Sequence, residues 1–337
     1  MKRLRTGIHG LDRILSSGIP EYSSVFIAGA PGTGKTILTQ NILHNLAKEA
    51  KVLYISTLSE PQIKVIRYQQ ELTFFDPDAF MKRVIYHDIG GIIRQDGARR
   101  GLEEIERLVR EHRPIAVAVD SIKAIVDLIG SNLEFREFIS DLTVRLAAWE
   151  CTALFVGEYS EDELASRPET AIADGIFFIY GMEEKKHQKR YLRVLKMRGA
   201  DYASGEHLLK ITKDGVKIYP RLNPVVADQS YLAFGNRQAT GVSGLDRMLG
   251  GGIPAGATTL IAGSTGTGKT LLGLSWLIQG ARENESGMIA SFEENPLNLK
   301  WCTRTFGWEL DSLEKQNLIR FFHFSRSNWT LTSTFVS

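Results

Sequence analysis

Cysteine is nearly missing from this chain: only Cys151 and Cys302 occur among 337 residues. Two such distant cysteines exclude a disulfide framework or a cysteine-rich zinc module, and their scarcity suits a reducing, cytoplasmic setting. Long hydrophobic runs are lacking as well. No apolar stretch nears the ~20 residues that a membrane helix needs, so no membrane is expected as a partner. Basic Lys2, Arg3 and Arg5 have no apolar run behind them, which does not read as a secretory signal. Charge of one sign is not in excess either: 41 Lys and Arg stand against 39 Asp and Glu. This balance gives no global electrostatic reason to expect nucleic acid. Apolar residues at 43% and charged residues at 24% are ordinary for globular proteins, so a sizeable core can form. The length suits two domains at roughly 100–200 residues each.

What is present is a repeat. Residues 6–36 read TGIHGLDRILSSGIPEYSSVFIAGAPGTGKT, and residues 240–270 read TGVSGLDRMLGGGIPAGATTLIAGSTGTGKT. They align without a gap, pairing Thr6 with Thr240, Asp12 with Asp246, Pro20 with Pro254 and Lys35 with Lys269. The chain therefore reads as a tandem duplication. A complete domain is expected over 1–219, a linker over 220–239, and the front part of a second domain over 240–337. The closing SRSNWTLTSTFVS has no counterpart in the first copy, which has YHDIGGIIRQD at that place. A divergent loop is one reading; a truncated or frame-shifted end is the one favoured here.

Within the first copy, apolar runs alternate with helical patterns. Val25–Ala28, Val52–Ile55, Val84–Tyr86, Ile115–Val119 and Ala153–Val156 read as buried strands, and Lys35–Lys48 as an amphipathic helix. Phe135, Phe138, Ile139, Leu142 and Leu146 share one helix face. Such alternation predicts an α/β fold: a mostly parallel central sheet with helices on both faces. Ile176–Tyr180, Tyr191–Met197, His207–Ile211 and Val216–Tyr219 predict an antiparallel extension.

Gly29-Ala30-Pro31-Gly32-Thr33-Gly34-Lys35-Thr36 matches the phosphate-loop pattern G-x-x-x-x-G-K-[ST], and Gly263-Ser264-Thr265-Gly266-Thr267-Gly268-Lys269-Thr270 matches it again. Glycines let backbone N–H groups converge on phosphate oxygens, and the following helix adds its positive end. Lys35 would meet the β- and γ-phosphates of ATP, and Thr36 would ligate Mg²⁺, with Lys269 and Thr270 as their counterparts. The strand Ile115–Val119 ends in Asp120, which suits the carboxylate on the Mg²⁺ side. A group that orients water is expected at the tip of the next strand. The second copy has Glu293-Glu294 there. In the first copy Glu60 pairs with Glu294 at the offset of 234, but counting back from Pro61 sets Leu58-Ser59 against the two acids. Glu158, after Ala153–Val156, is a further candidate, with a plain surface role as the alternative.

As a set, T-G-x-x-G-L-D, G-x-P, the phosphate loop and the strand ending in acids resemble the KaiC group of RecA-like P-loop ATPases. Leu195-Lys196-Met197-Arg198-Gly199 is similar to that family's K-x-R-G segment, and Gly205-Glu206 with Ile211, Gly215 and Ile218 to the strands that follow. The resemblance covers the first copy and the front of the second. It implies ATP and Mg²⁺ as ligands and a homo-oligomeric, hexameric ring. In that ring Lys196 and Arg198 would reach a neighbour's ATP; the alternative is a solvent-facing edge strand. It also implies partners among the regulatory proteins of signalling or clock pathways. Family members with tandem domains carry serine/threonine autokinase activity in the second. Its later half is missing here, so autophosphorylation is not expected, although Glu293, Glu294 and Lys269 remain. The expected function is that of an ATP-hydrolysing ring protein of signalling or clock type. Two alternatives stand beside it: a RecA-like recombinase or helicase acting on DNA, and a nucleotide-gated scaffold with little turnover.

Overall fold

A computed structural model describes residues 2–57, 62–184, 187–221 and 236–323. The chain divides into two compact units, Met1–Leu222 and Asn223–Thr334.

The first unit opens with β1 (Arg3–Leu4), α1 (Leu11–Ile14), β2 (Ile19–Pro20), β3 (Ser24–Gly29), α2 (Lys35–Ala47) and β4 (Val52–Ser56). It continues with α3 (Gln62–Gln69), α4 (Pro77–Arg83), β5 (Val84–Asp88), α5 (Gly90–His112), β6 (Ala116–Asp120), α6 (Ile122–Ile129) and α7 (Asn132–Ala148). It closes with β7 (Thr152–Gly157), α8 (Glu161–Ser166), α9 (Pro168–Ile172), β8 (Gly175–Glu184), β9 (His187–Met197), β10 (His207–Thr212) and β11 (Gly215–Tyr219). Nine strands form one sheet in the order β11-β10-β9-β8-β3-β7-β6-β4-β5. From β8 to β5 all neighbours run parallel, and β9, β10 and β11 extend the sheet antiparallel.

The strands are apolar on both faces because both are covered. Phe26, Ala28, Val117, Val119 and Phe155 face one core with Ile105, Leu108, Phe138 and Leu142 from α5 and α7. Val25, Ile27, Ala116, Ala118 and Leu154 face the other with Leu38, Ile42 and Leu46 from α2. The two-residue alternation of each strand thus feeds two cores.

Helix α2 differs from the amphipathic helix expected for Lys35–Lys48. It is buried nearly all round, including Gln40, Asn41 and His44. The reason is tertiary. The sheet covers one side, the β10–β11 hairpin reaches Asn41 through a Val216 N–H that donates to Asn41 Oδ1 at 2.9 Å, and Phe74, Phe75 and Phe80 close on the His44 ring. No local pattern announces partners so distant.

The second unit holds β12 (Arg237–Gln238), α10 (Ser243–Met248), β13 (Ile253–Pro254), α11 (Lys269–Arg282), β14 (Gly287–Ser291), α12 (Pro296–Arg304), α13 (Leu310–Lys315) and β15 (Ile319–His323). β12 pairs with β13 as β1 pairs with β2. Arg237–Gln238 is thus a strand of this unit, although the sequence places it in a linker over 220–239. Pairing starts the repeat ahead of the TG-x-x-GLD segment, where no sequence motif marks it. β14 and β15 are parallel and pack with α11, α12 and α13 around Leu274, Ile278, Leu299 and Leu310. The closing stretch SRSNWTLTSTFVS lies outside the described residues.

Burial holds the pKa of His44 and His207 below the ordinary histidine value. The unfolded chain therefore binds more protons as pH falls through ~6.5, so stability is complete above that pH and declines below it. Thermal melting from pH 7.5 to 5 should show a flat midpoint above about pH 7 and a fall below it. His44→Phe should flatten the fall.

Candidate functional site

The loop between β3 and α2 sits at the carboxyl edge of the parallel strands, where ligands of open α/β sheets bind. Gly29, Gly32 and Gly34 take positive φ angles of 152°, 73° and 104°. At Gly29 a Cβ would lie 2.0 Å from the Ile179 carbonyl oxygen, so only glycine lets the strand turn there. Gly34 caps α2, and Lys35 and Thr36 form its first turn. The Lys35 ammonium and the Thr33 hydroxyl both donate to the Ala30 carbonyl at 2.8 Å. This closes the loop around its own backbone.

Asp120 ends β6, and its Oδ2 accepts a hydrogen bond from Thr36 Oγ1 at 2.8 Å. The same oxygen accepts from the Tyr54 hydroxyl at 2.8 Å. A cleft of about 520 Å³ opens on Gly32, Lys35, Thr36, Asp120, Glu158 and Arg190. Burial pushes the Lys35 pKa down, while the nearby charges of Glu158 and Asp120 push it back up. A second cleft of about 540 Å³ lies away from the loop, beside Tyr22, Arg113 and Trp149. It is bordered by the C-terminal end of α5 and has neither a glycine loop nor a helix N-terminus, so chemistry selects the cleft at the loop.

The residues singled out from the sequence divide into those that meet and those that do not. The first loop, Asp120 and Glu158 converge. Glu60 lies outside the described residues. Lys196 and Arg198 sit at the far end of their strand, since Lys196 pairs with Ile176 near the start of β8 while the loop follows Gly29 opposite Ile179. There the Lys196 ammonium donates to the carbonyls of Thr170 and Ala171 at 3.4 and 3.1 Å. Arg198 donates to Ala171 O at 3.1 Å and stands 3.7 Å from Asp174. They do not reach the phosphate loop of their own chain. Burial and the neighbouring Arg198 charge hold the Lys196 pKa below its ordinary value.

The second loop repeats the local geometry. Thr267 Oγ1 and Lys269 Nζ donate to Ser264 O at 2.9 and 2.7 Å, and Gly268 caps its helix in the left-handed region. Its setting differs. The residues before it form no strand, and Leu260 is 89% exposed where its counterpart Phe26 is 1% exposed. Among the described residues of the second unit, no strand occupies the places that β7 and β8 hold beside β3. Glu293 and Glu294 follow β14 in an exposed turn, where the Ser291 hydroxyl donates to Glu294 O at 2.7 Å. β4 starts at Val52 and β14 at Gly287, an offset of 235, which supports counting back from the proline and sets the two acids against Leu58-Ser59.

Two residues at the site escaped sequence reasoning. Arg190 falls between the strands expected over Ile176–Tyr180 and Tyr191–Met197, yet it lines the cleft. Tyr54 reads as one apolar strand residue among others. No local signal marks either, because both reach the site through sheet pairing.

A phosphate-type loop at the carboxyl edge of a mostly parallel sheet, with a carboxylate held against its threonine, defines the RecA-like α/β nucleotide-site architecture. The sequence profile of the family "ATPase: KaiC" matches residues 4–223 and 238–334, and the chain belongs to that family. It is 26% identical over 340 residues to the circadian clock oscillator protein KaiC of Picosynechococcus sp., covering 95% of this chain and 64% of that protein. For KaiC of Nostoc sp. the identity is 27%, over 95% of this chain and 63% of the relative. The chain thus spans less than two thirds of the length of these curated relatives. The crystal structure of a KaiC-like protein from Pyrococcus horikoshii OT3 shares the fold, with a TM-score of 0.59 at 24% identity, over 65% of this chain and 99% of that one. Among the described residues no helix is long and apolar enough to cross a membrane.

Because the Cβ of any other residue at position 29 meets backbone, Gly29→Ala should destabilise the first unit by about 3 kcal/mol. Urea unfolding should report it, whereas Gly32→Ala, with open space at its Cβ, should cost less.

Proposed function

We propose that the first unit binds ATP with Mg²⁺ and hydrolyses it within a homo-oligomeric ring. The observation that carries this reading is the convergence of Lys35, Thr36 and Asp120 on one cleft beneath a glycine loop. The donor set fits the ligands. Backbone N–H groups and the N-terminus of a 13-residue helix suit phosphates, and a hydroxyl paired with a carboxylate suits a hard cation that prefers oxygen. Bound Mg²⁺ would neutralise charge on the phosphate oxygens.

The other steps fall to the chain's own groups. Lys35, buried at the start of α2, would exchange the Ala30 carbonyl for a phosphate oxygen, and the incoming negative charge favours its protonated form. Glu158, exposed at the cleft, would accept a hydrogen bond from the attacking water. Lys196 and Arg198, remote from their own loop, suit delivery of positive charge to the nucleotide of a neighbouring subunit. The clock function of the named relatives, their regulatory partners and any kinase activity come to this chain only as extensions of that proposal. The chain spans part of those relatives, and the loop of its second unit lacks a flanking sheet among the described residues.

A nucleotide-gated scaffold with little turnover is the second reading. It is favoured by Leu58-Ser59 standing where the second copy has two acids. Turnover and particle mass, each with and without ATP, separate the two. Lys35→Ala should abolish ATP binding. Arg198→Ala should preserve binding and slow turnover by roughly 10–10³-fold. ATP should raise the mass of the unmutated chain to that of a ring. Turnover that persists in Lys35→Ala would sink the first reading.

A further inference from the structure

We infer that Tyr54 is a positioning residue for Asp120: its buried hydroxyl sets the orientation of the carboxylate before Mg²⁺ and nucleotide arrive. The inference rests on the nucleotide site proposed above and adds a residue from a neighbouring strand.

Strand β4 is otherwise built of Val52, Leu53, Ile55 and Ser56, all buried. Tyr54 is 7% exposed and packs in the core beneath α2. A phenol in such a place must find a hydrogen-bond partner or carry a desolvation cost. It finds Asp120. In the sheet Ser56 pairs with Asp120 and Tyr54 with Ala118, so Tyr54 and Asp120 share a face as diagonal neighbours, within reach of a long aromatic side chain.

The ring itself is fixed. It stacks on Tyr86 from β5, with centroids 5.4 Å apart and planes 11° apart, and its hydroxyl end is held by Asp120. An ionised carboxylate can only accept, so in this 2.8 Å bond the phenol is the donor. Phenylalanine would fill the same volume without that donor.

Asp120 Oδ2 therefore accepts two hydroxyl protons, one from the phosphate-loop helix and one from the sheet. The Thr36 hydroxyl, while donating to Asp120, keeps its lone pairs for a cation. The Thr36 bond alone would let the carboxylate turn with that side chain, which is exposed. The Tyr54 bond ties it to the rigid sheet. Groups that orient a metal-binding carboxylate in this way typically contribute 10- to 100-fold to metal affinity.

The test titrates Mg²⁺ against binding of a fluorescent ATP analogue to the full chain and its Tyr54→Phe variant. A parallel titration with the analogue runs in EDTA. The expected result is unchanged affinity in EDTA and a half-saturating Mg²⁺ concentration raised about tenfold by Tyr54→Phe. Equal Mg²⁺ dependence in both proteins would overturn the inference. So would a loss of affinity of the same size with and without Mg²⁺, since the hydroxyl would then serve the fold alone. If the unmutated chain binds the analogue no better than Lys35→Ala does, the nucleotide-site reading fails first and takes this inference with it. Binding that depends on Lys35 but shows no Tyr54 effect on Mg²⁺ removes only the role of Tyr54.

Discussion

The hydrogen bond between Thr36 and Asp120 joins the first turn of a helix to the tip of a strand 84 residues further along the chain. Much of the first unit can be understood as what this bond requires. The strand that carries Asp120 must lie two places from the one that feeds the glycine loop, with β7 between them. The helix that carries Thr36 must cross above that gap. Both demands are met because α2 is packed on nearly every side, so its N-terminus has little freedom to move. Lys35 gains from the same arrangement. Its charge, costly in a buried position, faces Asp120 and Glu158, which offset part of the desolvation.

The duplicated chain contains its own control. Two loops with nearly the same sequence close in the same way, each lysine and threonine turned onto a carbonyl of the loop. Local geometry is therefore a property of the eight residues. The environment is not. The first loop hangs from a strand with partners on both sides. The segment before the second forms no strand among the described residues, and its apolar side chains face solvent. A strand is a cooperative object, and its backbone donors need neighbours as much as its side chains need a core.

A good part of this was legible in advance. The apolar runs over Val25–Ala28, Val52–Ile55 and Ala153–Val156 became strands within a residue or two of their expected ends. The antiparallel extension lies where its spacing puts it from Tyr191 onward, whereas Ile176–Tyr180, expected to belong to it, falls in β8 and runs parallel to β3. Asp120 could be read as the end of a strand and as the partner of the loop. The family itself follows from motifs that survive at 26% identity to long relatives. The failures share one cause. Lys35–Lys48 looks amphipathic, because its polar Gln40, Asn41 and His44 look like a solvent face; the hairpin and three phenylalanines that bury them come from elsewhere in the chain. Arg190 falls between two expected strands, and Tyr54 looks like any other strand residue.

By itself the sequence determined where backbone turns are allowed, which segments are apolar on both faces, and where a lysine and a hydroxyl follow a glycine loop. These are local properties: glycine at positive φ, alternation along a strand, a lysine and a hydroxyl at the start of a helix. Tertiary structure decided which of those residues stand together. Only strand order brings the phenol of one strand and the hydroxyl of a helix onto one oxygen of Asp120. Only strand direction sends Lys196 and Arg198 to the edge opposite their own loop. Pairing in a sheet acts between residues far apart in sequence, and no window along the chain contains it.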